Sequence, residues 1–323
     1  MTTENASRVF DLITMGRIGV DIYPNQVGIG LEQVESFGKY LGGSPTNVAV
    51  SAARHGLSSA VITGVGNDPF GKFLLSELSR LGVENAFVKI DDKLQTPVVF
   101  CEMFPPDNFP IYFYRKPSAP DLQLKFSDLD LAAIELAEVF WVTVTGLSEE
   151  PSRSAHLGAL AHRNRKRTTI VDLDYREMFW GSATEATQEI DKIWDFVTIA
   201  IGNREECLVA VGESDPERAA DAMLDRGMEI AVVKMGPMGV MAKTRQEQVI
   251  VRPHLIDVVN GLGAGDSFGG SFTFGLSQGW SLKEILEFAN VAGAIVASRL
   301  ECSTAMPETQ EVLSELRKNY SWR

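Results

Sequence analysis

The sequence predicts an α/β fold with a small additional β-sheet. Short apolar, β-prone segments alternate with segments of helical spacing along most of the 323 residues. Residues 96–115 depart from this alternation, because two apolar and aromatic runs flank a Pro-Pro-Asp-Asn turn, which is typical of a β-hairpin. No repeat, low-complexity tract or Pro/Ser linker interrupts the chain. We therefore expect residues 1–323 to form a single domain, with a β lid from about residues 20–41 and 95–118.

Composition narrows the class of protein. The formal net charge of −13 and a pI near 4.9 argue against nucleic acid and against an anionic membrane surface as partners. The three cysteines are widely spaced and odd in number, so we expect a reducing, cytoplasmic setting. The start of the chain lacks the apolar core of a signal peptide, and no apolar run approaches the ~20 residues that span a bilayer.

The first informative stretches lie near the N-terminus. Residues 10–15 predict a buried strand, and Asp21 follows it at a place where open α/β sheets bind ligands, although a solvated turn is the plainer interpretation. In Gly42-Gly43-Ser44-Pro45-Thr46-Asn47, Ser44 is suited to cap a helix and Pro45 to begin it. Asn47 could face a polar ligand from the first turn, or the glycine pair could simply form a tight entry turn.

Two nucleotide-binding motifs are excluded. Gly66 to Lys72 matches a P-loop, but Phe73 stands where a Ser or Thr hydroxyl would hold magnesium and Pro69 removes an amide. The Gly16-x-x-Gly19 turn lacks the third glycine of a dinucleotide fingerprint.

Two arginines stand out in the middle of the chain. Tyr112 and Arg115 lie on the predicted hairpin, which could close over a site and exclude water; aromatic cross-strand packing is the alternative. Arg176 follows a predicted strand and is suited to bind a carboxylate. A structural ion pair with Asp172 or Asp174 would explain Arg176 equally well.

Asn203 and Glu206 follow the next predicted strand. Their i, i+3 spacing places two oxygen donors on one helical face, which suits magnesium directly or through its waters, but it also fits a capping box. Farther on, Gly236 and Gly239 could expose amides to a phosphate or form a tight turn. Asn290 begins a small-residue helix face that could contact an adenine or serve close helix packing.

The stretch from Asp257 to Phe272 carries the strongest chemical signal. Gly261, Gly263 and Gly265 precede a predicted helix, where free amides and the helix dipole favour an anion. Asp266 beside such a site makes sense as a base that takes the proton of an alcohol while the amides stabilise a phosphoryl group in transfer. An N-capping Asp behind a flexible loop is the alternative.

The order of these stretches resembles the ribokinase-like (PfkB) carbohydrate kinases. The likeness runs from Phe10 to about Pro307, and Gly-Ala-Gly-Asp-x-Phe at residues 263–268 is its most specific motif. It implies a three-layer αβα sandwich with a mostly parallel central sheet and a β lid, and ATP-dependent phosphorylation of a sugar hydroxyl. The implied roles are a base and anion hole (Asp266, Gly263, Ala264, Gly265), sugar contacts (Asp21, Gly43, Asn47), a water-mediated Mg²⁺ and phosphate network (Asn203, Glu206) and nucleotide contacts (Lys234, Gly236, Gly239, Asn290).

Details of the resemblance bear on substrate and cofactors. Asn260-Gly261-Leu262 replaces the Asp-Thr-Thr common in the family, which leaves K⁺ activation open. The Tyr112 to Arg115 and Asp172 to Arg176 stretches are similar to aldonate kinases, so the implied substrate is a sugar acid bound by Arg115 and Arg176. An exposed lid edge favours a lid-to-lid homodimer. A non-catalytic sugar-acid sensor is the alternative of another class, and the joint presence of base, glycines and Asn-x-x-Glu argues against it.

Overall fold

The structure is a computed structural model that describes residues 9–319. Residues 1–8 lie outside the described residues. They form the polar start of the chain, in which the sequence predicted no signal peptide. In chain order the strands are β1 (Leu12–Met15), β2 (Gly19–Pro24), β3 (Phe37–Gly42), β4 (Ser59–Gly66), β5 (Val83–Glu84), β6 (Val88–Asp91), β7 (Val98–Cys101), β8 (Ile111–Tyr114), β9 (Val139–Thr143), β10 (Thr168–Asp172), β11 (Ile199–Asn203), β12 (Ile230–Lys234), β13 (Val240–Lys243) and β14 (Gln248–Val251). The helices are α1 (Ser44–Arg54), α2 (Pro69–Arg80), α3 (Leu131–Leu136), α4 (Ser152–Arg163), α5 (Ala183–Ile190), α6 (Arg204–Val211), α7 (Pro216–Asp225), α8 (Ala264–Ser277), α9 (Leu282–Ala297) and α10 (Thr309–Asn319).

A mostly parallel sheet forms the centre of the described chain. Its order is β14-β13-β12-β11-β10-β9-β1-β4-β5, with β6 also paired to β4. The strands from β12 to β4 run parallel, whereas β13 and β14 add an antiparallel edge. β1, β4 and β9 are buried along their whole length, as expected for strands covered on both faces.

Helices cover both faces of this sheet and make three layers. On one face α1, α8 and α9 pack against Trp141 and its neighbours, and on the other α3 to α7 pack against Phe140 and its neighbours. Small residues permit the close approach of α8, since a Cβ on Gly269 would lie 2.6 Å from the Trp141 ring. The predicted α/β class is therefore confirmed.

A second, smaller sheet has the order β3-β2-β7-β8. Its β2–β3 and β7–β8 pairs are antiparallel and its β2–β7 pair is parallel. The sheet combines the two segments predicted to form a lid, but Asp21 lies within β2 rather than in a turn after the first strand. Within residues 9–319, no helix is long and apolar enough to cross a membrane.

Candidate active site

A cavity of about 400 Å³ opens between the two sheets. The main sheet supplies the carboxyl ends of three neighbouring strands, at Asp172, Asn203 and Lys234. The smaller sheet supplies residues of β2, β7 and β8, including Asp21 and Phe113. Open α/β sheets bind ligands outside the carboxyl ends of their strands, so this cavity is the first candidate for the active site.

Asp266 lies in the cavity wall and is held by two side chains of α1. Its Oδ1 accepts a hydrogen bond from Ser44 Oγ at 2.7 Å, and its Oδ2 accepts one from Asn47 Nδ2 at 2.8 Å. Burial raises the pKa of Asp266 to about 6, although the bonds from Asn47 and Ser44 oppose the rise. The carboxylate is therefore oriented, and its pKa is suited to accept a proton near neutral pH.

The alternative of a capping aspartate is wrong. α8 begins at Ala264, its N-cap is Gly263, and no side chain caps it. Ser44 also differs from expectation, because Gly43 is the N-cap of α1 and Ser44 is the first residue inside the helix. The Ser44 hydroxyl therefore does not cap the helix, and it donates a hydrogen bond to Asp266.

The glycine loop before α8 is closely packed at its turn. Gly263 has a φ of +81°, and a Cβ there would lie 2.6 Å from Cys302 Sγ, so a side chain at this position would meet both backbone strain and a clash. The first N–H groups of α8 have no acceptor within the helix and, with Gly261, Gly263 and Gly265 in the cavity wall, offer donors for an anion.

Lys234 lies beneath this loop. Its Nζ would be 3.3 Å from a Cβ on Gly265, and it is 3.7 Å from Asp172 Oδ1. Although burial alone would lower it, the pKa of Lys234 is raised by Asp172 and Glu206. The ammonium group therefore stays charged next to the amide donors, where it adds to the attraction for an anion.

Asp174 connects two arginines at the cavity. Arg17 Nη2 lies 3.0 Å from Asp174 Oδ2, and Arg176 Nη2 lies 2.9 Å from Asp174 Oδ1. Burial works against the charge of Asp174, but Arg17 and Arg176 outweigh it and hold the pKa of this carboxyl below its usual value. The ion pair with Asp174, which was the alternative interpretation of Arg176, is present, and Arg176 also lines the cavity.

Asp21 and Tyr23 of β2 form the opposite wall. Tyr23 Oη lies 2.8 Å from Asp21 Oδ2 and 2.9 Å from Cys302 Sγ. Burial raises the pKa of Asp21 to about 6, with the Tyr23 bond acting in the opposite direction. Gly43 packs against the backbone of Arg17 with a φ of +104°, which brings the start of α1 to this wall.

Asn203 and Glu206 form a capping box at the start of α6. Asn203 Oδ1 accepts the Glu206 N–H at 2.9 Å, and Glu206 Oε2 accepts the Asn203 N–H at 2.7 Å. Both residues also line the cavity, and burial raises the pKa of Glu206 to about 7. Glu206 Oε1 keeps only a 3.7 Å contact with Arg176 Nη1, so it has room to accept from a water of a bound cation.

The side chains of Asn203 and Glu206 suit indirect contact with Mg²⁺, through water molecules bound to the ion, better than direct coordination. Within residues 9–319 no cluster of three or more His, Cys, Asp or Glu side chains is arranged to hold a metal. Mg²⁺ usually retains several waters and binds substrate phosphates. Asn203 Oδ1 already accepts the N–H groups of Glu205 and Glu206, so Glu206 Oε1 is the oxygen of this pair that can accept from such a water.

Asn260 does not fit a K⁺ site of the kind that the family resemblance ties to an aspartate. The side chain is fully buried, its Nδ2 donates to the Leu300 carbonyl at 2.7 Å, and its Oδ1 accepts from the Leu262 N–H at 2.9 Å. The amide is neutral, so this position does not supply the carboxylate charge that an aspartate would bring to a cation.

Several predicted site residues are not brought to the cavity wall. Arg115 pairs with Asp121 at 2.8 Å and packs over the Phe179 ring, and the Tyr112 hydroxyl donates to Glu102 on the exposed side of β8. The remaining three are Ala264, which is not among the lining residues, Gly239, which packs against β14, and Asn290, whose amide donates to the Arg252 carbonyl.

Several cavity residues were given no functional role from the sequence, among them Ser44 and Asp172. Arg17 and Tyr23 belong to β2 or the turn before it, Cys302 comes from the segment after α9, and Asp174 was considered only as an ion-pair partner. The Arg17 to Tyr23 segment carried a usable signal, since it places an arginine, a carboxylate and a phenol next to the predicted first strand. Cys302 offered none, because its contact with Gly263 joins distant parts of the chain.

Known proteins are similar to this chain in sequence and in fold. Residues 10–309 match the pfkB family carbohydrate kinase. The chain is 32% identical over 312 residues to a 5-dehydro-2-deoxygluconokinase of Clostridium tetani, covering 94% of this chain and 91% of the relative. It is also 32% identical over 309 residues to a protein of the same name from Geobacillus thermodenitrificans, with 94% and 91% covered. Among solved structures it is similar to a putative ribokinase II from E. coli in complex with ATP and Mg²⁺, with a TM-score of 0.88, 22% identity, and 96% of this chain and 100% of the other covered.

Proposed function

Since this chain belongs to the pfkB family of carbohydrate kinases, we propose that it transfers the γ-phosphoryl group of ATP to the terminal hydroxyl of a sugar acid. The proposed substrate is 5-dehydro-2-deoxy-D-gluconate and the product its 6-phosphate, a reaction of myo-inositol catabolism. Relatives carrying the name of that kinase at 32% identity support the choice of substrate. The observation that carries the reaction type is Asp266, oriented by Ser44 and Asn47 beside the amides of the glycine loop.

In the proposed reaction Asp266 is the base. The terminal hydroxyl of the sugar acid donates its proton to the Asp266 carboxylate as its oxygen forms a bond to the γ-phosphorus, and the bond to the leaving ADP breaks. The amides at the start of α8 and the Lys234 ammonium stabilise the charge on the transferred group. Because the pKa of Asp266 is about 6, the carboxylate is mostly ionised at pH 7.5.

The proposed cofactors are ATP and Mg²⁺, which the E. coli relative is described as binding. Bound Mg²⁺ would neutralise phosphate charge, and Asn203 and Glu206 would hold its waters. Gly236 borders the nucleotide side of the cavity, where Lys234 also lies. Gly239 and Asn290 stay predicted nucleotide contacts, although they lie outside the cavity wall. No monovalent cation is included in the proposal, because Asn260 brings a neutral amide to the position where the family resemblance ties K⁺ to an aspartate.

The sugar is proposed to bind between the smaller sheet and α1. Asp21, Gly43 and Asn47 line this side and offer carboxylate, backbone and amide partners for hydroxyl groups. Arg176, at the far side beside Asp174, offers a charge for the acid group. A cytoplasmic location stays a prediction, consistent with three buried cysteines that form no disulfide in the described residues.

Measuring ADP release with a panel of substrates tests the proposal. We expect 5-dehydro-2-deoxy-D-gluconate to give the highest kcat/KM, ahead of 2-dehydro-3-deoxy-D-gluconate and of neutral hexoses. A preference for 2-dehydro-3-deoxygluconate would establish the nearest rival, a 2-dehydro-3-deoxygluconokinase. Tight binding of a sugar acid without ADP release from any substrate would instead indicate a non-catalytic sensor.

The outer face of the smaller sheet is proposed to form a homodimer interface. Phe37, Phe100 and Tyr114 form an aromatic row with ring centroids 5.7 and 5.4 Å apart, and Tyr114 is 66% exposed. A second copy could cover this row and protect the edge strands. Sedimentation should show a dimer that Tyr114→Glu dissociates; a monomeric parent protein would contradict this part of the proposal.

A further inference from the structure

We propose that Arg17 receives the carboxylate of the substrate and sets the preference for an acid over a neutral sugar. This inference rests on the proposed function, because it concerns how the same cavity recognises a sugar acid. It also adds Arg17, which the sequence did not single out, to the two arginines, Arg115 and Arg176, that the family resemblance implied as partners of the acid group.

Arg17 has donors at the cavity that the protein does not use. Its Nη2 makes both hydrogen bonds to Asp174, at 3.0 and 3.3 Å. Within residues 9–319, no acceptor bonds its Nη1, and its Nε is enclosed without a partner. The side chain is only 11% exposed, so a guanidinium with unused donors is held where bulk water is scarce. Keeping a guanidinium away from water without enough acceptors costs free energy. A ligand carboxylate at Nη1 would supply a missing acceptor and reduce that cost.

The two other candidate arginines differ from Arg17 at their outer nitrogens, although Arg176 Nε, like Arg17 Nε, is buried without a partner. Arg176 uses Nη2 for Asp174 at 2.9 Å and Nη1 for the Tyr175 carbonyl at 3.2 Å. Arg115 is paired with Asp121 and does not line the cavity. Arg17 is therefore the arginine best able to form new bonds to an acid.

The charges around Asp174 also favour an anionic ligand. Asp174 is ionised, since its neighbours hold the pKa below its usual value, but it is one negative charge shared by two guanidinium groups that do not lose their protons. Arg17, Arg176 and Asp174 together carry one net positive charge, whereas Asp21, Asp172, Glu206 and Asp266 also line the cavity, so the attraction for an anion is local to the two arginines. Arg17 also lowers the pKa of Asp266, so its charge acts on the space in which the terminal hydroxyl would bind. A short acid could thus present its hydroxyl to Asp266 and its carboxylate to Arg17.

The test compares 5-dehydro-2-deoxy-D-gluconate with its neutral carboxamide. The amide has the same shape, so the ratio of kcat/KM for acid to amide isolates recognition of the charge. In Arg17→Gln we expect kcat/KM for the acid to fall about 10- to 100-fold, the loss of one charge-assisted pair, and that for the amide to change less than about threefold. Arg17→Lys keeps a charge for Asp174 but not the planar fork, and should lower the ratio by about 3- to 10-fold.

Two further variants sharpen the comparison. Arg80→Gln removes an exposed arginine that pairs with Glu77 on α2, and should leave both rates unchanged. Arg115→Gln breaks the pair with Asp121 and should lower the melting temperature while keeping the acid-to-amide ratio. A changed ratio in Arg115→Gln with an unchanged ratio in Arg17→Gln would restore the sequence-based assignment and overturn ours.

The remaining outcomes separate the inference from the proposed function. If the parent protein prefers the acid and both Arg17 variants keep that preference, or lose acid and amide rates equally, Arg17 only supports Asp174 and the inference is wrong. If the parent protein phosphorylates acid and amide alike, or neither, the proposed substrate class fails and the inference fails with it. Should Arg17→Gln not fold, as judged by circular dichroism, the ratio in Arg17→Lys decides.

Discussion

Replacing Asp266 with asparagine removes the proposed base with little other change. The carbonyl oxygen of the new amide can accept from Asn47 Nδ2, and its nitrogen can donate to Ser44 Oγ, because a hydroxyl both donates and accepts. Both contacts of 2.7 and 2.8 Å can therefore persist. What is lost is the ability to take a proton from the sugar hydroxyl.

We expect Asp266→Asn to lower kcat by about 10²- to 10⁴-fold, the usual contribution of a positioned general base, while KM for the sugar acid changes only a few-fold. In the parent protein, kcat/KM should fall below pH 6, because the pKa of Asp266 is about 6. The variant should lose the part of that fall that Asp266 causes, whereas any part that Asp21 and Glu206 cause should remain. Asp21, with a pKa also near 6, provides the control: Asp21→Asn should keep a low-pH fall governed by Asp266.

The assay is steady-state ADP release between pH 5 and 8.5, combined with calorimetric binding of the sugar acid. Unchanged kcat in Asp266→Asn would refute the assignment of the base. An equal loss of sugar binding would show that Asp266 holds the substrate and does not act on its proton.

Stability provides a second measurement on the same variant. The folded-state pKa of Asp266 lies above its ordinary value of 3.8, so its contribution to stability is present at low pH and is lost as pH rises through 6. Removing the charge should therefore raise the free energy of unfolding at pH 8, by at most about 3 kcal/mol. The gain should shrink toward pH 4, as measured by urea unfolding at each pH.

Three other predictions concern the same cavity. In Ser44→Ala the carboxylate of Asp266 loses a hydrogen bond that lowers its pKa. The pH below which kcat/KM falls should therefore rise by about one unit, and an unchanged pH profile would contradict this. Lys234→Met should lower kcat about 10- to 100-fold, because a cation beside the transferred group is lost, whereas Lys234→Arg should retain more activity; equal kcat in all three proteins would exclude that role. Gly263→Ala, with its Cβ against Cys302, should lower kcat by more than about 10-fold in the same assay, and full activity would show that the loop tolerates a side chain.

The sequence predicts the chemistry best where a site is built locally. Gly263, Gly265 and Asp266 are close in the chain, so their glycine content and spacing already indicate a loop, a helix start and a carboxylate. Asn203 and Glu206 are equally local, and the capping box is confirmed; both residues also line the cavity, so their role toward magnesium stays a prediction. Spacing alone could not have separated the two interpretations.

Prediction fails where distant segments meet. Arg17 and Asp174 are separated by 157 residues, and only the pairing of β1, β9 and β10 brings them together. Arg115 is six residues from Asp121, but nothing in the sequence shows that Asp121 is buried and paired with it. Asp21 lies in the segment of about residues 20–41 that was predicted to form part of the lid, but the sequence did not show that the strand β2 begins as early as Gly19 and includes Asp21.

The most direct test is a crystal structure with the sugar acid and a non-hydrolysable ATP analogue bound. We predict that the terminal hydroxyl oxygen lies about 2.6 to 3.2 Å from an Asp266 carboxylate oxygen, with the γ-phosphate at the amides that begin α8. A hydroxyl bound elsewhere, or an Asp266 carboxylate turned away from it in the complex, would contradict the proposed reaction.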